Sequence, residues 1–309
     1  NNTGVFVFSA TNTPNLSCIL VDNVAYSTTN WTAIDGTASF NDVSCLVDYQ
    51  ITIKAYLQGA ALNPNVGEES LMRDDLRVEG IIPTTSPYGD GLTVVSTVFN
   101  DGGTSAIGVI EDNIVDWVWV ELRDEIDNTV VKASQSALIQ RDGDIVATDG
   151  ISSLTFSLDT SRPYIVIKHR NHLGVMTNSV TVLDDMLTTN VDFTDANNQI
   201  TYGTDAQTTF GMPTDIVAMW TGDATGDGNL SYLGALSDIT SIRSQVFNDP
   251  DNSVFGGPPV GTYRSVGYTI TDINMDGVTV YSGSESDVLY VRDNIFNNPS
   301  NSVFGGPPV

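Results

Sequence analysis

The last third of the chain contains two copies of one short pattern, and this duplication limits what the C-terminal part can fold into. In each copy, oxygen-bearing side chains alternate with other residues, and a glycine stands at the sixth position. The copies are Asp223-Ala-Thr225-Gly-Asp227-Gly-Asn229 and Asp272-Ile-Asn274-Met-Asp276-Gly-Val278, offset by 272 − 223 = 49 residues. Such spacing lets a short loop surround a hard cation while the glycine takes the sharp turn. The pattern therefore predicts two calcium-binding loops.

A helix is predicted after each loop. Asp238 or Asp287 comes first, and apolar residues then recur at helical spacing. They are Ile239, Ile242 and Val246 in the first copy, and Val288, Val291 and Ile295 in the second. This spacing predicts a helix with one buried face. Both copies end in the same nine residues, NSVFGGPPV, at 252–260 and 301–309.

The way each loop closes departs from the common EF-hand. An EF-hand loop ends with a bidentate acid at its twelfth position, but Gly234 and Gly283 stand there in this chain. We therefore predict an enlarged loop in which Asp238 or Asp287 is both the closing ligand and the helix N-cap. Two alternatives stay open: these aspartates only cap their helices, or the loops are acidic turns that bind no ion.

The predicted ligands would hold about two calcium ions through oxygen atoms alone. Asn229 and Val278 are expected to contribute backbone carbonyls, and Thr225 makes the first site the weaker one because a hydroxyl replaces an amide or carboxylate oxygen. The full set is Asp223, Thr225, Asp227, Asn229, Asp238, Asp272, Asn274, Asp276, Val278 and Asp287. Paired loop–helix units with the pattern D-x-N-x-D-G, best kept at 272–277, resemble the dockerin module. That resemblance implies two calcium ions and, in some families, docking onto a cohesin.

Both cysteines, Cys18 and Cys45, lie in a stretch rich in Asn, Thr, Ser and Asp, which cannot form a large core by itself. A disulfide between them would stabilise this stretch by roughly 3–4 kcal/mol and would require an oxidising compartment. Two free buried thiols are the alternative. The residues from Asn12-Thr-Pro to Ala38-Ser-Phe and Cys45 resemble the C-terminal cap of leucine-rich-repeat regions in secreted proteins of Bacteroidota-type bacteria. This resemblance implies a cap over residues 1–50, with 4–8 as the last repeat strand.

The middle of the chain changes to a period of two, which is typical of β-strands. Short strands are predicted at 92–99, 114–122, 130–133, 137–140, 154–158 and 164–168, with turn signals such as Asp101-Gly-Gly between them. We therefore predict a mainly β chain with an antiparallel β-sandwich over 51–200, followed by the calcium repeats over 205–309. The order of strands and turns resembles prealbumin-like or Cna-B-like sandwiches, which serve as stalk modules in surface proteins.

Four further segments carry a resemblance that spans the predicted domains. They are Tyr56-Leu-Gln-Gly-Ala, Leu71-Met-Arg-Asp-Asp-Leu-Arg, Asn171-His-Leu-Gly-Val-Met and Tyr202-Gly-Thr-Asp-Ala. Together they look like the C-terminal region of large secreted Bacteroidota surface proteins of the haemagglutinin or adhesin type. The resemblance implies a role in attachment.

Charge excludes some classes of partner. The chain has 38 acidic and 12 basic residues and a net charge of −26, so it would repel nucleic acid and anionic membrane surfaces. No apolar run reaches the roughly 18 residues of a membrane span, and the chain begins without Met or a leader-like segment. We expect a secreted or cell-surface protein that was cut from a longer precursor, without direct membrane insertion.

The sequence does not favour catalysis. The only histidines, His169 and His172, follow a predicted strand and lie beside turn-forming residues, so we expect them on a hairpin rather than in a site. Trp117 and Trp119 share one strand face, where core packing is favoured over a sugar-stacking platform. We therefore predict a non-catalytic extracellular module, structural or adhesive, that is stabilised by calcium. Its expected partners are other surface proteins, glycans or copies of itself in a fibre. The alternative is a targeting module cut from a large secreted enzyme, with a cohesin-like or carbohydrate partner.

Overall fold

A computed structural model describes residues 4–5, 7–14, 16–42, 45–100, 109–253 and 258–301. The strands are β1 (Ser9–Ala10), β2 (Cys18–Leu20), β3 (Ala33–Ile34), β4 (Ser39–Asn41), β5 (Val47–Lys54), β6 (Ile114–Arg123), β7 (Val131–Gln140), β8 (Asp144–Val146), β9 (Leu154–Leu158), β10 (Tyr164–His169), β11 (His172–Met176), β12 (Thr189–Asp192), β13 (Gln207–Thr208), β14 (Ala218–Met219), β15 (Arg264–Val266) and β16 (Val278–Val280). The helices are α1 (Val24–Asn30), α2 (Gln58–Ala61), α3 (Asp75–Val78), α4 (Thr97–Asn100), α5 (Asp238–Asn248) and α6 (Asp287–Asn297), and a 3-10 turn spans Ile110–Asp112. Strand at 28% outweighs helix at 16%, which confirms the mainly β class.

An eight-stranded sheet forms the body of the molecule. Its order is β11-β10-β6-β7-β8-β5-β12, and β9 pairs with the other part of β5. The pairings are antiparallel except for β12, which runs parallel to β5. The strands predicted at 114–122, 154–158 and 164–168 are present, and those predicted at 130–133 and 137–140 form one continuous strand, β7.

The strand predicted at 92–99 is wrong. Val94 donates its backbone N–H to the Thr84 carbonyl beside an isolated β-bridge, and the chain then turns into α4. Val98 and Phe99 bond to carbonyls three residues back. The backbone N–H groups of Val98 and Phe99 are therefore bonded within a local turn rather than to a neighbouring strand. The strand predicted at 4–8 is also displaced: its described residues are not in a strand, and β1 begins at Ser9 because it pairs with β3. Phe6 lies outside the described residues.

The core of the sheet is centred on β6, which is buried on both faces. Trp117 is fully buried and donates its indole N–H to the Pro83 carbonyl, so it belongs to the core rather than to a surface platform. Trp119 is partly exposed, lies 5.8 Å from the Tyr88 ring between centroids, and donates to Glu121. Both tryptophan rings therefore pack against neighbouring groups of the protein, as expected.

The N-terminal segment packs through aromatic rings and a covalent link. A disulfide joins Cys18 to Cys45, which confirms the prediction. Trp31 is buried, stacks on Phe8 at 4.9 Å and meets Phe40 edge-on at 5.8 Å. Two parallel strand pairs, β1 with β3 and β2 with β4, surround this cluster.

Both predicted C-terminal helices are present, beginning at Asp238 and Asp287. Ile242, Val246, Val291 and Ile295 are buried on the faces that the spacing indicates. The N-cap assignment was wrong, however, because Ser237 and Ser286 occupy the cap positions and each aspartate is the first helical residue. The physical reason is that each carboxylate turns back to accept backbone N–H groups of its own loop. Residues 254–257 and 302–309 of the duplicated NSVFGGPPV segments lie outside the described residues.

Candidate metal centres

The second loop, residues 272–287 (loop 2), is held by two buried carboxylates. Asp272 accepts from the backbone N–H of Asp276 at 3.1 Å and of Gly277 at 2.9 Å. Asp287 accepts from Ile273 at 2.7 Å and from Val280 at 2.6 Å. Both residues are fully buried. The carboxylates at the two ends of the loop thus bond to the loop's own backbone between residues 273 and 280. A carboxylate oxygen can accept such a bond and bind a cation at once because it has two lone pairs.

These carboxylates resist ionisation in the absence of a cation. Burial raises the pKa of Asp272 to about 6, and the neighbouring Asp276 charge adds to the effect, while Arg170 opposes it. Burial raises the pKa of Asp287 well above its ordinary value, and the charges of Asp272 and Asp276 raise it further. A divalent cation at this place would reverse both effects because it favours the ionised form.

The remaining predicted ligands of loop 2 do not converge with these two. Asp276 accepts from the Asn274 side-chain amide at 3.0 Å and from the Val278 N–H at 2.9 Å. In the described part of the chain, no group of three or more His, Cys, Asp or Glu side chains is arranged to hold a metal ion. The donor chemistry still fits calcium, because carboxylate, amide and carbonyl oxygens stand at alternate positions of one loop. Binding would require Asp276 and Asn274 to turn from each other towards Asp272.

The first loop, residues 223–238 (loop 1), repeats three of these four contacts 49 positions earlier, and in the fourth the donor Thr225 stands one residue beyond the counterpart of Ile273. Asp223 accepts from Asp227 at 3.1 Å and from Gly228 at 2.8 Å. Asp238 accepts from Thr225 at 3.1 Å and from Ser231 at 2.7 Å. Burial raises the pKa of Asp238, and the Asp223 charge adds to this. The Thr225 hydroxyl also points to both carboxylates.

Backbone conformation matches between the loops. Gly228 and Gly277 have φ of 80° and 83° at the sixth position, a left-handed conformation that glycine adopts without strain. Gly226 has φ of 73°, and its counterpart in loop 2 is Met275, at 59°. A non-glycine residue in this conformation is uncommon, so the fold of loop 2 imposes it.

The two loops differ in what surrounds them. Residues 225–229 of loop 1 are exposed, whereas their counterparts 274–278 in loop 2 are buried or half-buried. The region before loop 1, residues 47–222, is called the β-body. Three of its side chains bond to carbonyls of loop 2: Asn171 to Asp272 at 2.6 Å, Thr221 to Ile273 at 2.7 Å, and Arg73 to Asn274. Loop 2 is therefore part of the interior, and loop 1 is a surface feature.

Sequence reasoning missed a buried polar network beneath loop 2. Asp116 on β6 is fully buried and accepts from His169 at 3.0 Å, from Arg170 at 3.0 Å and from Tyr268 at 2.7 Å. Burial opposes ionisation of Asp116, but the Arg170 charge and the His169 hydrogen bond outweigh it and lower its pKa to about 2. The guanidinium of Arg170 also lies 4.5 Å above the Tyr268 ring. A single aspartate inside a hydrophobic strand pattern was the signal available in the sequence.

The histidines lie at the expected hairpin but inside the protein. Burial lowers the pKa of His169 and lowers that of His172 well below its ordinary value, so both rings are neutral near pH 7. His172 Nε2 accepts from the Gly59 N–H at 3.0 Å, which leaves its proton on Nδ1, 2.8 Å from His169 Nδ1. His169 then donates from Nε2 to Asp116. Every ring nitrogen is used, and both residues are buried.

Asn171, at the tip of this hairpin, joins the network to both loops. Its backbone carbonyl accepts from the N–H groups of Gly222 and Asp223 at the start of loop 1, at 3.0 and 3.2 Å. Its side-chain amide donates to Asp272 at the start of loop 2. The first ligand position of each predicted site is thus bonded to the same residue.

The chain as a whole matches no protein-family model, no curated protein and no solved structure at a significant level.

Proposed function

We propose that this chain is a non-catalytic extracellular module of a surface protein, in which calcium binding by loops 1 and 2 fixes the C-terminal helices on the β-body. The observation that carries the proposal is the pair Asp272 and Asp287, two fully buried carboxylates whose pKa values are raised chiefly by burial and further by nearby aspartate charges. Buried carboxylates without a bound cation are costly, so a loop that retains them is suited to hold one.

In loop 2 the ion would be held by Asp272, Asn274, Asp276, Asp287 and the Val278 carbonyl. In loop 1 the corresponding residues are Asp223, Thr225, Asp227, Asp238 and the Asn229 carbonyl. A bound calcium supplies positive charge that neutralises these carboxylates. The protein residues do the rest: Asn171, Thr221 and Arg73 hold the loop 2 carbonyls in place, so that the site is tied to the sheet.

Two observations, the disulfide and the net charge, support an extracellular setting. The disulfide between Cys18 and Cys45 persists in oxidising compartments, and extracellular fluid supplies calcium. The net charge of −26 suits a protein surrounded by salt and divalent ions. No helix among the described residues is long and apolar enough to cross a membrane. We place the chain in the C-terminal region of a large secreted Bacteroidota-type surface protein, with a leucine-rich-repeat cap, a Cna-B-like sandwich and dockerin-like calcium repeats.

A non-catalytic role fits the site chemistry of the described residues. His169 and His172 are the groups best suited to proton transfer, but both are buried and bonded to protein partners. The expected partners are other surface proteins, glycans or further copies of the chain.

Thermal unfolding of the full chain during a calcium titration, with chelator as the reference, tests the proposal. Stabilisation should grow with free calcium and reach about 2.7 kcal/mol at a concentration 100 times the Kd of one site. Asp276→Ala should remove most of it, and Asp227→Ala a smaller part, because loop 1 is exposed. Asp185→Ala, at an exposed position outside both loops, is the matched control and should respond as the unmodified chain does. An unfolding temperature that ignores calcium would refute the proposal.

A further inference from the structure

Two related clefts flank the C-terminal helices, and one of them holds a strand. In the cleft between α5 and loop 2, β15 pairs antiparallel with β16, in the register of Ser265 with Thr279. The Ser265 hydroxyl donates to Asp249 at 2.6 Å and accepts from Gln245 at 3.1 Å, both near the end of α5. This cleft, with its strand, is the filled cleft.

The repeat offset of 49 residues places a second cleft between α6 and loop 1. Gln245 and Asp249 correspond to Asn294 and Asn298, and β16 corresponds to residues 229–231. A cleft of about 340 Å³ lies there, lined by Gly228, Leu230, Asn294 and Asn298, with Trp220 among its walls. No strand of the described residues occupies it. This is the open cleft.

The backbone at the open cleft presents a free edge. Asn229 and Ser231 donate their N–H groups to Asp227 and Asp238 within loop 1. Leu230, between them, makes no backbone hydrogen bond with any described residue. In loop 2, Val278 and Val280 likewise bond to Asp276 and Asp287, although all three residues of β16 lie in register with β15. The N–H left for β15 is therefore that of the intervening Thr279. Alternation along a strand therefore directs both groups of Leu230 towards the open cleft.

The lining of the open cleft is rich in asparagine, but the repeat offset places two exposed leucines beside it where the filled cleft has polar side chains. In the filled cleft, Arg264 of β15 forms an ion pair with Glu285 at 3.1 Å. The counterpart of Glu285 is Leu236, which is 87% exposed, and the counterpart of Ser282 is Leu233, which is 75% exposed. A strand that fits here needs an apolar side chain where β15 has Arg264. An acidic segment is disfavoured by the net charge of −26.

We propose that the open cleft binds an extended, uncharged segment of a partner protein, which adds as an antiparallel strand on residues 229–231 with an apolar side chain against Leu236. Addition of a strand to an exposed edge satisfies the free backbone groups, while alternate side chains supply specificity. β15, seated in the filled cleft of the same molecule, is the template for this arrangement. The inference goes beyond the proposed calcium role and rests on strand geometry rather than on which ion the loops hold.

Peptides that carry the β15 sequence test this with the full chain in calcium buffer. The probes are a labelled peptide of residues 261–268, Gly-Thr-Tyr-Arg-Ser-Val-Gly-Tyr, and the same peptide with leucine in place of arginine. Fluorescence anisotropy should show the leucine peptide binding about fivefold more tightly, the scale of one cross-strand pair. Leu236→Glu, which recreates Glu285 at an exposed position, should reverse this preference. N-methylation of the peptide serine removes the N–H that faces Leu230 and should weaken binding by about tenfold.

Three results would overturn the proposal. One is that neither peptide binds, or that the N-methylated peptide binds as tightly as the unmodified one. If calcium still stabilises the chain in that experiment, the proposed calcium role stands and only the strand proposal fails. Another is binding that appears only after residues 302–309 are removed, which would assign the cleft to the chain's own C-terminal segment. The last is self-association of the chain that Leu236→Glu abolishes, which would assign the cleft to a second copy.

Discussion

Without calcium, the stability of this protein should fall as the pH rises from about 4 to about 6, and Asp272 accounts for part of the fall. Its pKa is raised to about 6, chiefly by burial, from the ordinary value of 3.8. A carboxyl group with a raised folded-state pKa binds its proton more tightly in the folded protein. Its contribution to stability is therefore full below the unfolded pKa and is lost as the pH rises through the folded pKa.

The size of this effect follows from the shift. A change from 3.8 to about 6, at about 1.36 kcal/mol for each unit, corresponds to roughly 3 kcal/mol of lost stability. For a chain of this size, that would lower the unfolding temperature by roughly 6–12 °C. Asp287 acts in the same direction, because burial and the Asp272 charge raise its pKa as well.

Calcium should reverse the trend. The ion binds the ionised carboxylates, so protons and calcium compete, and calcium stabilisation grows as the pH rises through 6. In chelator the unfolding temperature should be highest at the acidic end of this range. In excess calcium it should be level or should rise.

Differential scanning calorimetry at pH 4.5, 5.5, 6.5 and 7.5, with chelator or with calcium, measures both trends. Other carboxyl groups titrate in the same range, so the informative quantity is the difference between the unmodified chain and Asp272→Asn. The variant should show a smaller decline in chelator than the unmodified chain, because its amide carries no charge to desolvate, while Asp287 still contributes. The reasoning fails if the two proteins have the same pH dependence in chelator, or if calcium does not alter it.

Three further substitutions, one of them with a matched control, test the packing around loop 2 and the N-terminal disulfide. Gly59→Ala would place a Cβ against the Ile273 carbonyl of loop 2 and should cost about 1–3 kcal/mol by denaturant unfolding, whereas Gly36→Ala, which meets open space, should be neutral within about 0.5 kcal/mol. Asn171→Ala removes a buried donor and should cost about 1–3 kcal/mol, with a lower apparent affinity for calcium in the same titration. Cys18→Ser should cost up to about 3–4 kcal/mol and, in limited proteolysis, should expose residues 18–45 to cleavage before the sheet is cut.

The elements that sequence pattern predicted well are those whose partners are close along the chain. The helices beginning at Asp238 and Asp287 have regular apolar spacing and a repeat that shows the pattern twice. The disulfide joins the only two cysteines. Strand β6 is a long apolar run with few other conformations open to it. In each case, local pattern and tertiary packing favour the same answer.

Predictions failed where contacts outside the periodic pattern decide the structure. Residues 92–99 have strand-like alternation, but hydrogen bonds to Thr84 and a local turn use their backbone groups instead. His169 and His172 were expected on a hairpin, and they are there, yet no pattern in the sequence indicates that Asp116 and Gly59 lie against them. Contacts between residues more than 50 positions apart leave no periodic trace in the sequence.

The N-cap error has a specific physical cause. Aspartate before an apolar helix is a good cap, and so is the serine that precedes it here. In both repeats the serine occupies the cap position, since the aspartate carboxylate is already bonded to two N–H groups of its loop. An aspartate drawn away from the helix end and towards the loop is what a ligand at the last loop position requires.

If both proposals hold, the unequal burial of the two loops separates two tasks of one repeated unit. Loop 2 bonds to Arg73, Asn171 and Thr221 of the β-body, so a cation there would act on the stability of the whole chain. Loop 1 has the same carboxylate contacts but an exposed surface, with Leu233 and Leu236 where loop 2 has a serine and a glutamate. A partner can reach only the exposed copy. Since Asn171 bonds to the first position of both loops, we expect calcium in loop 2 to order the edge at Leu230 as well, and so to favour strand binding without touching the partner.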